Sequence, residues 1–282
     1  MAASDLIQRL SVFAPRICDT ALGAIEYRSS GSAPEGATHV LLHGIGSGSA
    51  SWVAQLEAAS KPGGQNAVMA WEAPGYGNSA PVAPDSPGAD DYAARLWAWL
   101  DAMGVRQSVT LVGHSLGALM AARAARMQPE RVRALILLSP AQGYAHADAT
   151  ERDKRLSDRL ATLAQLGPQG MAQSRGATML SGQASPEQLA YIKWVMAQIR
   201  PAGYSQAARL LAQGDLLGDV ALVRVPVSVA SGAADTITPL GKCQEVAARA
   251  QVPWQNLGPV GHACALEAAE PVNTLLGLNL DI

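Results

Sequence analysis

Short apolar runs rich in β-branched residues alternate along the chain with longer stretches whose apolar residues recur at the helical period. The runs that predict strands are residues 17–20, 24–27, 40–42, 67–71, 109–112, 134–138, 227–230 and 254–257. Helical periodicity predicts helices over residues 90–103, 116–127, 240–250 and 271–280. Strands that alternate with helices form parallel sheets covered on both faces, so the pattern predicts an α/β fold that opens with a hairpin.

Residues 141–211 interrupt this alternation. They contain helical segments without a convincing strand, a cluster of charges over residues 151–159, and chain breakers at Gly167-Pro168 and Pro201. We interpret residues 141–211 as a helical cap, inserted into a core that residues 1–140 and 212–282 form together.

The most informative local pattern is a serine between two glycines, Gly113-His114-Ser115-Leu116-Gly117, at the junction of a predicted strand and a predicted helix. A serine in this context is typical of a nucleophile elbow, in which small flanking residues let the strand and the helix approach closely. The hydroxyl would then lie near the helix N-terminus, where unpaired N–H groups favour developing negative charge. We therefore predict that Ser115 is a nucleophile.

A serine hydroxyl is a weak nucleophile at neutral pH and needs a base, which a carboxylate must in turn orient. His262 follows the last predicted strand, and Asp235 lies in the loop that leaves the strand over 227–230. Because ligands bind outside the carboxyl ends of the strands in an open parallel sheet, we predict that Ser115, Asp235 and His262 meet there as a catalytic triad.

A glycine-rich turn, His43-Gly44-Ile45-Gly46-Ser47-Gly48, follows the predicted strand over 40–42. Such a turn can present backbone N–H groups to an oxyanion, and we assign the oxyanion hole to the N–H groups of Ile45 and Leu116. We expect His43 to hydrogen-bond the loop backbone and His114 to pack beside the elbow. Asp215 and Asp219 precede a strand rather than follow one, so we interpret them as helix caps or solvated loop residues.

With these motifs in this order, the chain resembles the α/β-hydrolase superfamily along nearly its whole length. The matching segments are residues 43–46, 73–79, 113–117, 232–235 and 261–262. The resemblance implies an α/β-hydrolase fold, a mostly parallel sheet with helices on both faces and an inserted helical cap. Serine at the elbow argues against the haloalkane dehalogenase and epoxide hydrolase branches, which carry Asp there.

Within the superfamily the chain looks like the hydrolases of aromatic catabolism, which include 3-oxoadipate enol-lactonases and meta-cleavage product hydrolases. This resemblance rests on residues 200–208, on Asp215-Leu216 and on Thr238-Pro239 in the Asp235 loop. Two positions depart from the pattern. Leu116 follows the serine where Met is frequent, and Ser47 stands where ring-cleavage hydrolases often have Pro.

The function predicted is a cofactor-independent serine hydrolase of a small carboxylic ester or lactone, with enol-lactone hydrolysis in aromatic catabolism as a specific form. One alternative is a C–C bond hydrolase of 2-hydroxy-6-oxo-dienoate ring-cleavage products. Another is a non-enzymatic binding module on the same fold, which a complete triad disfavours. In the cap, the candidates for binding a substrate carboxylate are Arg175, Lys193 and Arg200, with solvated helix charges as the alternative. Trp194 is a candidate for an apolar wall of the pocket, with the core of the cap as the alternative.

Composition narrows the expected partners and location. The 21 Lys and Arg against 23 Asp and Glu give a net charge of −2, which is not the footprint of a nucleic-acid or membrane binder. We expect a small-molecule substrate, no metal and no cofactor, and homo-oligomer formation is left open. The three scattered cysteines, the lack of a signal-like N-terminus and the absence of an apolar run of about 20 residues favour a cytoplasmic protein.

Overall fold

The computed structural model of the protein describes residues 4–31, 34–61 and 66–278. A single eight-stranded sheet with the order β1-β2-β4-β3-β5-β6-β7-β8 runs through it. The strands are β1 (Arg16–Cys18), β2 (Ile25–Ser29), β3 (His39–Leu42), β4 (Val68–Trp71), β5 (Val109–His114), β6 (Val132–Leu138), β7 (Val227–Ser231) and β8 (Trp254–Asn256). Strand β2 pairs antiparallel with β1 and β4, and every other pairing is parallel. The predicted hairpin and mostly parallel sheet are thereby confirmed.

Helices connect and cover these strands. Those in the described residues are α1 (Ser4–Ser11), α2 (Val53–Ala59), α3 (Ala89–Ala102), α4 (Gly117–Met127), α5 (Ala149–Arg175), α6 (Pro186–Met196), α7 (Pro201–Gln213), α8 (Leu216–Val220), α9 (Leu240–Arg249), α10 (Cys264–Glu267) and α11 (Ala269–Leu275). Within the described ranges, no helix combines the length and the apolar character that crossing a bilayer requires.

The core consists of two apolar layers, one on each face of the sheet. Neighbouring residues of a strand belong to different layers, as Leu41 and Leu42 in β3 and Leu111 and Val112 in β5 illustrate. This follows from the strand period of two, which sends successive side chains to opposite faces. Strands buried on both faces need continuous apolar runs, which is why the central strands were visible in the sequence.

The helices at the two ends of the chain differ from the prediction. Helix α1 and the seven-residue α2 were not predicted, because each is too short to display a clear helical period. The closing helix was predicted over 271–280 but covers Ala269–Leu275. Gly277 follows it with φ 69°, a conformation that favours helix termination, and residues 279–280 of the prediction lie outside the described residues.

Helices α5 to α8 connect β6 to β7. The sequence predicted helical segments over residues 141–211, where α5, α6 and most of α7 lie, and α8 follows beyond them. The breaker pair Gly167-Pro168 lies inside α5, where Gly167 has the non-helical dihedrals φ 59° and ψ 178° and kinks the helix. The start of α7 packs tightly on the loop after β4, since a Cβ on Gly203 would lie 2.1 Å from the carbonyl oxygen of Gly75. This contact fixes α7 above the carboxyl ends of the strands.

Candidate active site

The turn between β5 and α4 holds Ser115 in a strained conformation. Its φ of 53° lies in the left-handed region, which a residue with a side chain adopts at a cost. The turn is also tightly packed. A Cβ on Gly113 would lie 2.5 Å from the carbonyl oxygen of Gly117, and a Cβ on Gly117 would lie 2.1 Å from that of Leu42. The two glycines of the elbow therefore permit a backbone approach that no larger residue allows.

Asp235 in the loop after β7 contacts His262 in the loop after β8. His262 Nδ1 lies 2.9 Å from Asp235 Oδ2, and both side chains are buried. The other carboxylate oxygen, Oδ1, accepts hydrogen bonds from the backbone N–H groups of Ile237 and Thr238, at 2.9 and 3.0 Å. Burial raises the pKa of Asp235, but the hydrogen bonds from His262 and Thr238 outweigh it and hold that pKa well below its usual range. An ionised Asp235 fixes the proton of His262 on Nδ1 and leaves Nε2 free to accept one.

Thr238 completes this arrangement, and the sequence marked it only as part of the resemblance, without a role. Its hydroxyl lies 2.8 Å from Asp235 Oδ2 and 3.1 Å from the carbonyl oxygen of Ser139, and it is 3.2 Å from His262 Nδ1. The hydroxyl can donate to the Asp235 carboxylate while the backbone of the same residue donates to the other oxygen. The Asp235 side chain is thereby held in one orientation.

Ser115 and His262 face a common cavity of about 1340 Å³. The turn after β3 and residues from α5, α7 and the Asp235 loop form other parts of its wall. Among the described residues, the His262 ring is hydrogen-bonded through Nδ1 alone, and no hydrogen bond joins it to the Ser115 hydroxyl. Catalytic contacts of this kind are often long in an unliganded site and tighten when substrate binds.

His114 supports His262 from below. Its Nε2 lies 2.8 Å from the His262 carbonyl oxygen, and the centres of the two rings are 4.7 Å apart. Burial lowers the pKa of His114 to about 3, so the ring is neutral at physiological pH and donates its Nε2 proton to that carbonyl. The predicted packing of His114 beside the elbow is confirmed, and its hydrogen bond to the His262 backbone is an addition.

The backbone N–H groups of Ile45 and Leu116 are available for a ligand. In the part of the chain that the structure describes, neither donates a hydrogen bond to another protein group. The turn that carries Ile45 is held by Tyr76, whose hydroxyl donates to the Ile45 carbonyl oxygen at 2.8 Å. A Cβ on Gly44 would lie 3.0 Å from the Ser115 Cβ, so the turn lies directly against the elbow. Two unpaired donors beside a serine hydroxyl are what an oxyanion hole requires.

His43 has the structural role that the sequence predicted for it. Its Nδ1 lies 2.8 Å from the Gly44 carbonyl oxygen, and its Nε2 accepts a hydrogen bond from the N–H of Ala73 at 2.9 Å. Burial lowers the pKa of His43 to about 4. A neutral ring with these two partners locks the start of the turn to the loop after β4.

Glu72, which the sequence did not mark, anchors the other end of the turn. Its carboxylate accepts hydrogen bonds from the Ser49 N–H at 3.0 Å and from the Ser49 hydroxyl at 2.6 Å. Burial raises the pKa of Glu72 to about 7, although the bonds from Ser49 oppose that shift. The turn that offers the Ile45 N–H is therefore held at His43, at Tyr76 and at Glu72.

Of the four residues proposed from the sequence to contact substrate, Arg175 lines the cavity. Arg200 does not belong to the described lining. It is exposed, immediately precedes Pro201 at the start of α7, and donates to Asn78 Oδ1 at 3.2 Å. The lining of the cavity does not support a contact of Arg200 with substrate, which stays a prediction.

Lys193 and Trp194 also lie outside the described lining of the cavity. Both are on α6, where Lys193 extends to Gln173 Oε1 at 3.3 Å and Trp194 stacks on the ring of Tyr191 at 5.6 Å. Lys193 is thereby directed to α5 and Trp194 to its helix neighbour Tyr191, so their predicted contact with substrate is not supported and stays a prediction. From α6 the cavity receives Met196 instead.

Several cavity residues were missed because their charges resemble those of a solvated helix. Glu151, Arg155 and Arg159 follow one another at a spacing of four on α5 and all line the cavity. A spacing of four places residues on one helix face, which was the available signal. The sequence alone could not tell whether that face meets solvent or a cavity.

The two aspartates that precede β7 differ from each other. Asp215 caps α8 by accepting the N–H of Gly218 at 2.8 Å, as the sequence predicted. Asp219 is neither a cap nor solvated. It is buried, and its Oδ1 lies 2.8 Å from Arg123 Nε and 3.1 Å from Arg126 Nη1. The prediction for Asp219 was wrong because both arginines come from α4, far away in sequence.

Residues 4–31, 34–61 and 66–278 contain no group of three His, Cys, Asp or Glu side chains that could hold a metal ion. The chemistry that this arrangement offers is that of an activated hydroxyl. It combines a serine, a histidine oriented by a carboxylate, and two backbone N–H groups without a described partner.

Comparisons with known proteins agree with this fold. Residues 40–275 match the model of a family described as the alpha/beta hydrolase family. The enol-lactonase from Burkholderia xenovorans superposes with a TM-score of 0.79 at 19% identity, over 93% of this chain and 99% of the other. That likeness concerns the fold. Enol-lactonases are one of the two protein classes that the sequence resembles.

Two relatives of known description are similar in sequence. The (Lyso)-N-acylphosphatidylethanolamine lipase of Mus musculus is 34% identical over 104 residues, which are 36% of this chain and 29% of the lipase. The (E)-2-((N-methylformamido)methylene)succinate hydrolase of Acinetobacter baylyi is 30% identical over 190 residues, 65% of this chain and 66% of that enzyme. The chain thus spans less than a third of the lipase that it matches.

Proposed function

Since this chain belongs to the alpha/beta hydrolase family, we propose that it is a cofactor-independent serine hydrolase that cleaves a small carboxylic ester or lactone. One observation carries the proposal. His262, which pairs with the buried Asp235 at 2.9 Å, borders the same cavity as the strained Ser115 at the tip of the elbow. A base that a carboxylate holds in one tautomer beside a serine hydroxyl is the arrangement that acyl transfer needs.

In the first half of the reaction, Nε2 of His262 accepts the proton of the Ser115 hydroxyl while Oγ attacks the substrate carbonyl carbon. The negative charge that develops on the carbonyl oxygen is stabilised by the N–H groups of Ile45 and Leu116. His262 then donates its proton to the leaving oxygen as the bond to the acyl carbon breaks. Throughout, Asp235 stabilises the imidazolium without taking its proton.

In the second half, His262 accepts a proton from a water molecule, which attacks the acyl-enzyme, and returns that proton to Ser115 as the acid leaves. A lactone is opened by the same steps, and its leaving oxygen stays attached to the product. Of the groups that these steps use, Ser115, His262 and Ile45 border the cavity.

We further propose that residues 141–211 act as a cap that shapes the substrate pocket above the core. Side chains from α5, α6 and α7 support this role because they supply much of the cavity wall. They are Arg159, Met171, Arg175, Met196 and Tyr204. Apolar walls with a few placed polar groups are typical of small-molecule sites.

An enol-lactone, as in aromatic catabolism, is the specific substrate that we propose, and a cytoplasmic location goes with it. The enol-lactonase fold and the succinate-derived substrate in the name of the Acinetobacter baylyi enzyme support a small acyl compound. The test follows ultraviolet absorbance with two substrates, 3-oxoadipate enol-lactone and a 2-hydroxy-6-oxo-dienoate, with Ser115→Ala as control. Loss of the lactone signal alone supports the proposal, whereas bleaching of the dienoate alone assigns the protein to the C–C hydrolases.

A further inference from the structure

The cavity wall holds five cations against three carboxylates, those of Glu151, Asp215 and Glu245, and so has an excess of positive charge. Its cations come from α5 and α9 and are Arg155, Arg159, Arg175, Lys242 and Arg249. A wall of this sign attracts an anionic substrate. Which of these groups is free to bind one depends on the partners that each already has.

Three of the cations are already paired or bonded. Arg155 makes an ion pair with Glu151 at 2.6 Å, and Lys242 pairs with its neighbour on α9, Glu245, at 2.9 Å. Arg249 donates through Nε to the backbone carbonyl of Leu217 at 3.3 Å. A carboxylate partly neutralises the charges of Arg155 and Lys242, and Arg249 already donates to the backbone.

Arg159 and Arg175 differ from these three. Among the described residues, neither makes an ion pair with a carboxylate. Arg159 is half-buried, and its Nη1 donates to a neutral partner, the hydroxyl of Tyr204, at 3.2 Å. A half-buried guanidinium with a neutral partner keeps donors and charge for a ligand.

Arg159 borders the same cavity as Ser115 and His262. Its partner Tyr204 also lines that cavity and belongs to the same apolar core as Tyr76, which holds the Ile45 turn through its hydroxyl. A ligand in the cavity can therefore reach both the guanidinium of Arg159 and the serine hydroxyl.

We infer that the substrate carries a carboxylate on its acyl side, and that Arg159 binds it, with Arg175 as the second cation of the pocket. This inference rests on the proposed function, because it names the substrate class of the same site. A guanidinium binds a carboxylate through two parallel N–H donors, and charge-assisted hydrogen bonds in a partly desolvated site are strong. Arg159 is then a specificity-determining residue that selects an anionic ester or lactone over a neutral one.

The test compares two synthetic esters that differ in one charge, the 4-nitrophenyl monoester of adipic acid and its methyl ester. The wild type is expected to cleave the monoanion with at least about 10-fold higher kcat/KM. Arg159→Gln is expected to lower this preference by about 10- to 100-fold, Arg159→Lys to retain part of it, and Arg175→Gln to lower it by less. Arg152→Gln, on α5 but outside the described lining, is the control and should keep the wild-type preference.

A second readout does not depend on turnover. Titration calorimetry of adipate with the Ser115→Ala protein should detect binding that weakens by the same factor in Ser115→Ala/Arg159→Gln. Equal kcat/KM for the two esters in the wild type, or an unchanged preference in Arg159→Gln, would overturn the inference and leave the hydrolase standing. Adipate binding that depends on Arg159, without cleavage of either ester, would support the anion site and overturn the proposed hydrolysis instead.

Discussion

His262 Nδ1 lies 2.9 Å from Asp235 Oδ2, and this contact joins two loops that leave adjacent strands 27 residues apart in sequence. If the contact fixes the tautomer of His262, removing the charge must remove the base. We therefore expect Asp235→Asn to lower kcat/KM for an activated ester by about 10³- to 10⁴-fold. Circular dichroism and the urea midpoint would establish that the variant is folded. Activity within threefold of wild type in the folded variant would show that His262 does not depend on Asp235.

Tyr76 and Tyr191 form a matched pair of buried tyrosines. The Tyr76 hydroxyl donates to the Ile45 carbonyl oxygen, the Tyr191 hydroxyl donates to the Ala50 carbonyl oxygen, and both distances are 2.8 Å. Each Tyr→Phe variant should lower the free energy of unfolding by about 1 kcal/mol. Only Tyr76→Phe should also lower kcat, by about 3- to 10-fold, because only Tyr76 positions the turn of the oxyanion hole. Equal kcat values for the two variants would rule out this positioning role.

Gly117 and Gly241 differ in the space that is available for a side chain. A Cβ at Gly117 would lie 2.1 Å from the Leu42 carbonyl oxygen, whereas nothing lies within 4 Å of the corresponding Cβ position at Gly241 in α9. Gly117→Ala should therefore lower the free energy of unfolding by more than about 3 kcal/mol. Gly241→Ala should raise it by about 0.5 kcal/mol, since Ala favours the helix. Urea denaturation measures both, and a stable Gly117→Ala protein would mean that the elbow is less tightly packed.

Buried histidines give the fold a predictable sensitivity to acid. Burial lowers the pKa of His39 and His43 to about 4 and that of His114 to about 3, against 6.5 in the unfolded chain. As pH falls below 6.5, the unfolded chain binds three protons that the folded protein does not bind. The raised pKa of Glu72, about 7, acts in the opposite direction, because folded Glu72 keeps a proton that the unfolded chain loses above pH 4.5. The net difference approaches two protons, so stability should fall by about 2.5 kcal/mol per pH unit between pH 6 and 5.

Urea denaturation at pH 8, 6 and 5 measures this slope. His39 lies on β3, outside the described lining of the cavity, so His39→Gln removes one of the three histidine protons without altering the site. The slope in this variant should be about half that of the wild type. A wild-type stability that stays constant from pH 7 to 5 would contradict the assignment of these histidines as neutral in the folded state.

The sheet and the elbow were predictable from the sequence because local patterns determine them. The six residues of β5 are all buried, so the strand reads as an apolar run, and Gly113 and Gly117 mark the close contact on either side of Ser115. Asp235 and His262 were found by chain order and by their place after strands. Their contact itself follows from the parallel register of β7 and β8, which brings the two loops together.

The cap was less predictable because its residues depend on which helix face meets the cavity. The sequence favoured Lys193 and Arg200, which extend to Gln173 and Asn78, and overlooked Arg159. Helical periodicity gives the position of a residue around a helix but not the identity of the neighbour that covers it. Hydrogen bonds to the backbone, such as that of His114 to the His262 carbonyl, leave no pattern in the sequence either.

If Ser115 is an activated nucleophile, a reagent that needs such a nucleophile must label it covalently. A fluorophosphonate reacts with a serine only where a base and an oxyanion hole assist, so intact-mass measurement followed by peptide mapping reports on the whole site. We expect a single adduct on the peptide that contains Ser115, much slower labelling of His262→Ala, and none of Ser115→Ala. Folded wild-type protein that stays unlabelled, or that carries its adduct on another residue, would contradict this role of Ser115.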